Sequence, residues 1–246
     1  MKSSLLINFC FVMFVMFTNC DNNNSTEPNL NDNGTMTDID GNKYQTVKIG
    51  NQVWVAENLK VTHYRNGDEI PNISGENDWS QQTSGAYCAY NNESSNAEIY
   101  GNLYNMFVIN DDRNVAPLGW HVPTDDEWKE LEIFLNMIQS QVDSVGGHRG
   151  TDQGGKLKEA GTSYWNTPNK GATNETGFSG LPGGRRINNG TFANKGKMAR
   201  FWTSTRAVPN SPLFLCRDLH HDAEDICRVY EIQEAGLSIR LIKDNQ

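Results

Sequence analysis

Residues Gly119–Glu132 read GWHVPTDDEWKELE, and this stretch decides the fold because it specifies where a helix begins and which side of it is buried. Thr124 stands at the N-cap position, and Glu127 follows three residues later, which completes a capping box. The two aspartates between them put negative charge on the first turn, where the helix dipole favours it. Apolar residues then recur at helical spacing. The pattern predicts a helix from about Asp125 to Gln139 that faces the core with Trp128, Leu131, Phe134, Leu135 and Ile138.

The rest of the chain predicts short elements separated by turns. Alternating apolar residues around Gly50-Asn51 predict a β-hairpin within Thr37–Asn58. Helical spacing of aromatic and aliphatic residues predicts a buried helix over Glu98–Ile109. Loops dominate after residue 140, and closing strands are predicted at Phe201–Thr205 and Leu237–Ile242. We therefore expect an α+β domain, rich in loops, with short antiparallel strands and one or two helices.

The charge of the chain excludes two classes of partner. Its 246 residues carry a formal net charge of −9, and loss of Lys2 with an N-terminal signal would make it −10. Nucleic-acid binding needs a basic face, and attraction to anionic lipid needs basic clusters. We expect no nucleic-acid partner, and the acidity is typical of a solubilising surface.

The N-terminus is typical of an export signal. Leu5–Phe17 is a nearly unbroken apolar run behind Lys2, too short to span a bilayer comfortably. Cys20 follows the run, which resembles a bacterial lipoprotein signal with cleavage before Cys20 and lipid on its thiol. The open alternative is a secretory signal with an incidental cysteine.

Three regions follow from this interpretation. Residues 1–19 are the predicted signal peptide, residues 20–36 a flexible polar tether, and residues 37–246 the folded domain. Asp21 directly after the cysteine resembles the surface-export signal of Bacteroidetes lipoproteins. We expect an outer-membrane lipoprotein of the cell envelope, held to the membrane through Cys20 and exposed at the surface.

Three cysteines remain in the domain, and an exported protein meets oxidising conditions. Cys216 and Cys227 are close in sequence and are the candidate disulfide, which leaves Cys88 over. Pairing of Cys88 with one of the other two remains open.

Several blocks together resemble the Fibrobacter succinogenes major paralogous domain family. Members carry a GWHVPTD-x-EW segment, and the other similar blocks are Thr37–Leu59, Cys88–Asn105, Gly154–Arg186, Phe201–Ala207 and Leu237–Asp244. The similarity covers roughly residues 37–244. The chain departs from the family where Leu241 follows Arg240 and where Cys216–Glu234 is charged.

The order of these blocks is also similar to the C-type-lectin-like fold, as used by formylglycine-generating enzymes. This resemblance implies a C-type-lectin-like domain and a cell-surface setting, while a fold by itself carries no activity.

The candidate sites have simpler structural explanations. A dense group of metal-ligating side chains, His220, His221, Asp222, Glu224 and Asp225, is expected to be a solvated loop, because neighbours on an extended chain point to opposite sides. The tryptophans of the similar blocks are expected to pack in the core rather than stack on sugars; they are Trp120, Trp128, Trp165 and Trp202. No catalytic triad, phosphate loop or zinc-protease motif is present. We expect no catalytic residue, no cofactor and no metal.

Three functional hypotheses remain. The first is a lipid-anchored surface binding module that recognises a glycan or a surface protein through loops of residues 140–235. The second is a structural or interaction protein of the envelope without a small ligand. The third is an oxidase-like enzyme, which would require a reactive thiol among Cys216 and Cys227.

Overall fold

The computed structural model describes residues 34–244 and is built around two antiparallel sheets. The first sheet has the order β1-β2-β3-β13-β6, and the second has the order β10-β11-β12-β7. Two further strand pairs, β4-β5 and β8-β9, are short ribbons. The strands are β1 (Thr35–Thr37), β2 (Lys43–Ile49), β3 (Gln52–Val55), β4 (Tyr87–Cys88), β5 (Leu103–Tyr104), β6 (Trp120–His121), β7 (Gly146–Arg149), β8 (Arg185–Arg186), β9 (Phe192–Ala193), β10 (Met198–Arg206), β11 (Leu213–His220), β12 (Ile226–Ile232) and β13 (Ile242–Lys243).

The helices are short and lie between the strands. They are α1 (Glu76–Ser80), α2 (Ser94–Tyr100), α3 (Met106–Ile109), α4 (Asp125–Phe134), α5 (Gln139–Val142) and α6 (Gln153–Leu157). The mixture of helices and antiparallel strands confirms the α+β class. Over residues 34–244 there are six helices rather than the one or two expected.

The capping box of α4 is present as predicted. The Thr124 hydroxyl accepts the backbone N–H of Glu127, and the Glu127 carboxylate accepts the backbone N–H of Thr124 at 2.8 Å. The helix ends at Phe134, and Asn136 adopts a left-handed conformation with φ 69°. Helical spacing therefore stops before Ile138. The expectation that Phe134 and Ile138 face the core is wrong, since they are 43 % and 62 % exposed.

An aromatic cluster joins α4 to both sheets. Trp128 of α4 lies 5.0 Å from Trp54 of β3 and 5.8 Å from Phe201 of β10, measured between ring centroids. Phe178, from the long loop after α6, contacts all three rings. All four side chains are fully buried. The cluster fixes the two sheets and the helix relative to one another.

A buried ionic network attaches the polar side of α4 to the second sheet. Asp125 accepts from Arg217 at 2.8 Å and from Arg228 at 2.7 Å. Glu132, about two turns further along the helix, accepts from Arg149 at 2.7 Å and from Arg217 at 2.5 Å. Helix capping alone thus does not account for Asp125. Although burial opposes ionisation, the two arginines lower the pKa of Asp125 to about 2.

Two predicted elements differ from the structure. The helix expected over Glu98–Ile109 is divided into α2, β5 and α3, because Gly101 ends α2 with φ 75°. A Cβ at Gly101 would lie 2.6 Å from Asn58 Cβ, so only glycine fits this close approach. The charged segment after residue 212, which we expected to be loop, forms the long strands β11 and β12.

The N-terminal boundary also shifts. Thr35 and Met36, assigned to the tether, lie in β1, and Met36 is buried against the core. The predicted signal peptide, the lipidation of Cys20 and most of the predicted tether lie outside the described residues. None of the helices in residues 34–244 has the length and apolar character needed to cross a bilayer.

Candidate functional site

A polar cleft of about 510 Å³ opens beside α2, and we call it the Asn72 cleft. Eight of its twelve lining residues carry an amide or a hydroxyl group, one of them on an aromatic ring, and two more carry a basic and an acidic side chain. It is lined by Asn42, Lys60, Thr62, Asn72, Ser74, Tyr87, Ala89, Asn92, Ser94, Ala97, Glu98 and Asn102. Other clefts in the described part of the chain include one of about 620 Å³ beside Phe134 and one of about 290 Å³ beside Leu118. Neither offers a comparable number of polar side chains.

The turn before β2 positions one wall of the cleft. The buried Asp38 carboxylate accepts the backbone N–H and the side-chain amide of Asn42, both at 2.9 Å, and the Tyr44 hydroxyl at 2.6 Å. The Tyr44 oxygen in turn accepts the backbone N–H of Lys60 at 2.9 Å. A single carboxylate thereby fixes Asn42 and, through Tyr44, the start of the Lys60 segment.

A distant arginine holds the segment that carries Ser74. Arg186 of β8 is fully buried between the rings of Trp79 and Phe192, at 4.5 and 4.8 Å. Its guanidinium donates to the backbone carbonyls of Ile73, Ser74 and Gly75 at 2.5 to 3.0 Å. Burial of a cation costs free energy unless its donors are satisfied, and here three carbonyls in a row satisfy them. The segment is therefore held in one shape.

The opposite wall is the 90–92 turn together with α2. Asn91 and Asn92 both have positive φ, a conformation that asparagine tolerates well. The Asn92 amide donates to the Ser74 carbonyl at 3.0 Å, which joins the two walls. Across the floor, the Asn102 amide donates to the Lys60 carbonyl at 2.8 Å.

Tyr87 is the aromatic side chain of the cleft. It is half-buried, and its ring lies 6.0 Å from that of Tyr104. Burial, together with the charges of Asp40 and Glu69, raises the pKa of Tyr87. Its hydroxyl is therefore protonated at neutral pH and able to donate a hydrogen bond.

At the rim, Asp40 forms a compact cluster with Thr62 and His63. One carboxylate oxygen accepts the Thr62 backbone N–H at 2.5 Å and its hydroxyl at 2.8 Å, and the other lies 2.6 Å from His63 Nδ1. Although burial opposes it, the hydrogen bonds from Thr62 and His63 lower the pKa of Asp40. The Thr62 hydroxyl is bonded to the carboxylate rather than to the far nitrogen of the imidazole. The cluster thus does not have the nucleophile–histidine–acid order of a catalytic triad.

Residues 47–243 match the model of the Fibrobacter succinogenes major domain. The chain belongs to this family. Neither the curated proteins nor the solved structures contain a significant match to it. The matched range contains all of the cleft lining except Asn42, which stands in the turn just before it.

The Fibrobacter succinogenes major domain of this chain does not pair its cysteines, which corrects the predicted Cys216–Cys227 disulfide. All three cysteines in residues 34–244 are free and buried. Cys216 lies opposite Val229, whereas Cys227 lies opposite Asp218. Two cysteines on neighbouring strands are thus diagonal rather than directly opposite, a geometry that holds Cα atoms about 7–8 Å apart and beyond easy bridging. The alternative pairing with Cys88 is also absent.

The thiols lack the environment of a reactive cysteine. Burial raises the pKa of Cys227 to about 12 and that of Cys88 to about 11, and it raises the pKa of Cys216 well above its usual range. Reactive cysteines need the opposite shift, because the thiolate is the nucleophile. The oxidase-like hypothesis thus gains no support from these residues.

The residues of the histidine-rich segment make contacts with different partners, and the His220 ring lies 5.9 Å from that of His148. His220 ends β11, and His221 Nδ1 lies 3.1 Å from the Thr167 carbonyl. Asp225 is 2.7 Å from a different imidazole, that of His148 on β7. Within the described ranges, no group of three or more His, Cys, Asp or Glu side chains is arranged to hold a metal ion. Residues 221–225 form the turn between β11 and β12 and are partly or fully exposed, which agrees with the expected solvated loop, whereas His220 belongs to β11.

The tryptophans of the domain behave as core residues. Trp128, Trp165 and Trp202 are buried, which confirms the prediction of core packing, and Trp120 is half-buried against the same core. The recognition face expected in the loops of residues 140–235 stays a prediction. Residues 140–235 contribute the buried strands of the second sheet, whereas the Asn72 cleft is formed by residues 42–102. The sequence feature nearest to the cleft is the polar, turn-rich run of residues 60–95, which carries isolated tyrosines.

Proposed function

We propose that this protein is a lipid-anchored cell-surface module that binds a glycan in the Asn72 cleft without catalysing a reaction there. The observation that carries the proposal is the chemistry of the lining. Four asparagines, three hydroxyl side chains and Tyr87 supply both donors and acceptors on all sides of one cavity.

This lining complements a polyhydroxylated ligand. Each sugar hydroxyl donates one hydrogen bond and accepts others, and an asparagine amide offers the same two capabilities. The Tyr87 ring adds an apolar face against which the C–H side of a sugar can pack. The volume of about 510 Å³ lies within the range of small-ligand sites.

Preorganisation of the walls supports binding without a large entropic cost. Asp38, Arg186 and the Asn92 amide already fix the backbone that carries the lining residues. Ligand affinity improves when the protein groups need no further ordering. By contrast, the acid–histidine cluster at the rim lacks a nucleophile in the right position, which favours binding over catalysis.

The location and the finer fold belong to the same proposal. The apolar run before Cys20 and the polar tether support an outer-membrane lipoprotein that displays the domain at the surface. The ordered blocks shared with lectin-like proteins support a C-type-lectin-like arrangement. Pairing of the first hairpin with the last strand, at Trp54 and Ile242, is consistent with it.

The test is glycan binding by the full-length protein extracted in mild detergent. Arrays of plant, host and bacterial surface glycans should give a class of ligand above background, followed by calorimetry on the best binder. Asn72→Ala removes an exposed amide of the cleft and is expected to weaken affinity about fivefold, from the loss of about 1 kcal/mol.

The matched control is Asn77→Ala. Asn77 is equally exposed on the neighbouring helix α1 but does not line the cleft. It should bind like the wild type. Absence of binding to every glycan class, with co-purification of a stable envelope protein, would instead favour the structural hypothesis.

A further inference from the structure

A second exposed aromatic group lies on the far side of α2 from the Asn72 cleft. Tyr100, at the end of α2, meets Tyr164 with ring centroids 6.2 Å apart and planes at 83°. The Lys195 ammonium lies 5.9 Å from the centroid of Tyr100. We call Tyr100, Tyr164 and Lys195 the tyrosine platform. Tyr164 is 42 % exposed, which leaves much of its ring open to solvent.

Helical geometry places the cleft and the platform on opposite flanks of α2. Ser94, Ala97 and Glu98 line the cleft, and their spacing of three and four residues puts them on one side of the helix. Asn96 and Tyr100, four residues apart, face the other side, where Asn96 Oδ1 accepts Lys195 Nζ at 2.9 Å. The helix is about 10–12 Å across, roughly the length of two hexose units.

The platform is held in place by the chain around it. The Tyr100 carbonyl accepts the Asn58 amide at 2.7 Å. Close to Tyr164, the backbone N–H of Asn166 donates to the Gly196 carbonyl at 2.7 Å, which ties the loop to the turn that carries Lys195. The backbone on both sides of the platform is thus held by hydrogen bonds.

We infer that the Asn72 cleft and the tyrosine platform are two ends of one site that binds a linear oligosaccharide laid across α2. This inference rests on the proposed glycan function and adds to it the ligand class, a polymer of several sugar units rather than a terminal monosaccharide. One end of the chain hydrogen-bonds to the amides of the cleft. Further along, another sugar ring packs on the open face of Tyr164, since aromatic rings offer flat apolar faces.

The simpler explanation is that Tyr164 only packs its loop against α2. The two readings differ in one measurable property. A packing residue affects the stability of the protein, whereas a distal subsite affects the binding of long ligands and leaves short ones unchanged.

The experiment measures affinity against chain length for the full-length protein. The probes are homo-oligomers of glucose, xylose, mannose and N-acetylglucosamine, each from the monosaccharide to the octasaccharide, titrated by calorimetry. For the wild type we expect affinity to rise by about threefold to tenfold once the chain is long enough to cross α2, the gain of one aromatic contact.

Tyr164→Ala should remove this gain and leave the affinity for the shortest binding oligomer unchanged, while Tyr164→Phe should retain it. Tyr230→Ala is the control, because Tyr230 is 47 % exposed on β12 and belongs to neither end of the site. Thermal melts of each variant separate a folding defect from a binding defect.

Equal affinity for short and long oligomers would overturn the extended site while leaving the glycan function intact. A length-dependent gain that survives in Tyr164→Ala would also overturn it. Failure of every oligomer to bind would overturn the glycan function and the extended site together.

Discussion

Replacing Glu132 with glutamine tests whether the buried ionic network holds α4 on the second sheet. Glu132 is fully buried, and its carboxylate accepts two N–H groups of Arg149, at 2.7 and 3.0 Å, and one of Arg217 at 2.5 Å. The substitution keeps the shape of the side chain. It removes one negative charge from a cluster in which Asp125 and Glu132 face three arginines, and it points an amide donor at arginine donors.

The expected loss is about 3–5 kcal/mol in the free energy of unfolding, because breaking a buried ion pair leaves uncompensated charge. Two or three charge-assisted hydrogen bonds at about 1.5–3 kcal/mol each, partly recovered by relaxation, give a similar figure. A domain with a total stability of about 5–15 kcal/mol would lose about a fifth of it or more.

Urea unfolding followed by tryptophan fluorescence measures this loss, since Trp128 lies beside the network. The urea concentration at the midpoint of unfolding should fall, while the m-value, the slope of the free energy of unfolding against urea, should stay unchanged. Glu130→Gln, on the exposed side of the same helix, is the matched control and should change stability by less than about 0.5 kcal/mol. A loss in Glu132→Gln below about 1 kcal/mol, or equal to that of the control, would refute a stabilising role for the network.

Three more outcomes follow from the titratable groups. The Asp125 carboxylate stabilises the wild type above pH 4, and this stabilisation is lost as the pH falls toward its folded pKa of about 2. Asp125→Asn should lack it, a difference of about 2 kcal/mol in the free energy of unfolding. Acid titration followed by circular dichroism measures the difference. His121 contacts Glu127 and Asp244, which raise its pKa against the effect of burial. The charged His121 therefore stabilises the fold by less than about 1 kcal/mol below pH 6.5, and this contribution is lost as the pH rises through the folded pKa. The melting temperature of His121→Ala should accordingly approach that of the wild type at alkaline pH. The three free cysteines should react with a maleimide only in denaturant, as counted by mass spectrometry, and rapid labelling of the native protein would contradict their burial.

Local signals in the sequence predict local structure well. The capping box at Thr124 acts over three residues, and the Gly50-Asn51 turn joins β2 and β3, which lie directly before and after it. Both features can therefore be recognised from short patterns. The family resemblance rests on the same kind of signal, because blocks such as GWHVPTDDEW are short and continuous in sequence.

Strands β11 and β12 of the second sheet were not predicted, because their charged residues are inside the protein. Arg217 and Arg228 lie on β11 and β12, and their partner Asp125 precedes them by 92 and 103 residues. Read alone, a strand with arginine and aspartate resembles a solvated loop. Only the fold brings the carboxylates of α4 to these arginines, so the burial that defines the strands could not be inferred from the segment itself.

The Asn72 cleft was missed for a related reason. Its lining comes from separate stretches between Asn42 and Asn102, and its shape depends on Arg186, which is over a hundred residues from the carbonyls it binds. No short pattern records such a contact. Residues 60–95 are polar and rich in turns, but nothing in the sequence indicates that they form one cavity.

Buried cations explain how so many loops can be held in one conformation. Lys158 donates to the carbonyls of Lys170, His220 and Ala223, and Arg240 donates to those of Val55, Phe178 and Ser179. Like Arg186, each side chain donates hydrogen bonds to backbone carbonyls from several segments of the chain. Loops anchored in this way cannot open without exposing buried carbonyls and a desolvated charge, which opposes large movements. A rigid cleft of this kind suits binding of a preferred shape, and it is less suited to chemistry that depends on a closing lid.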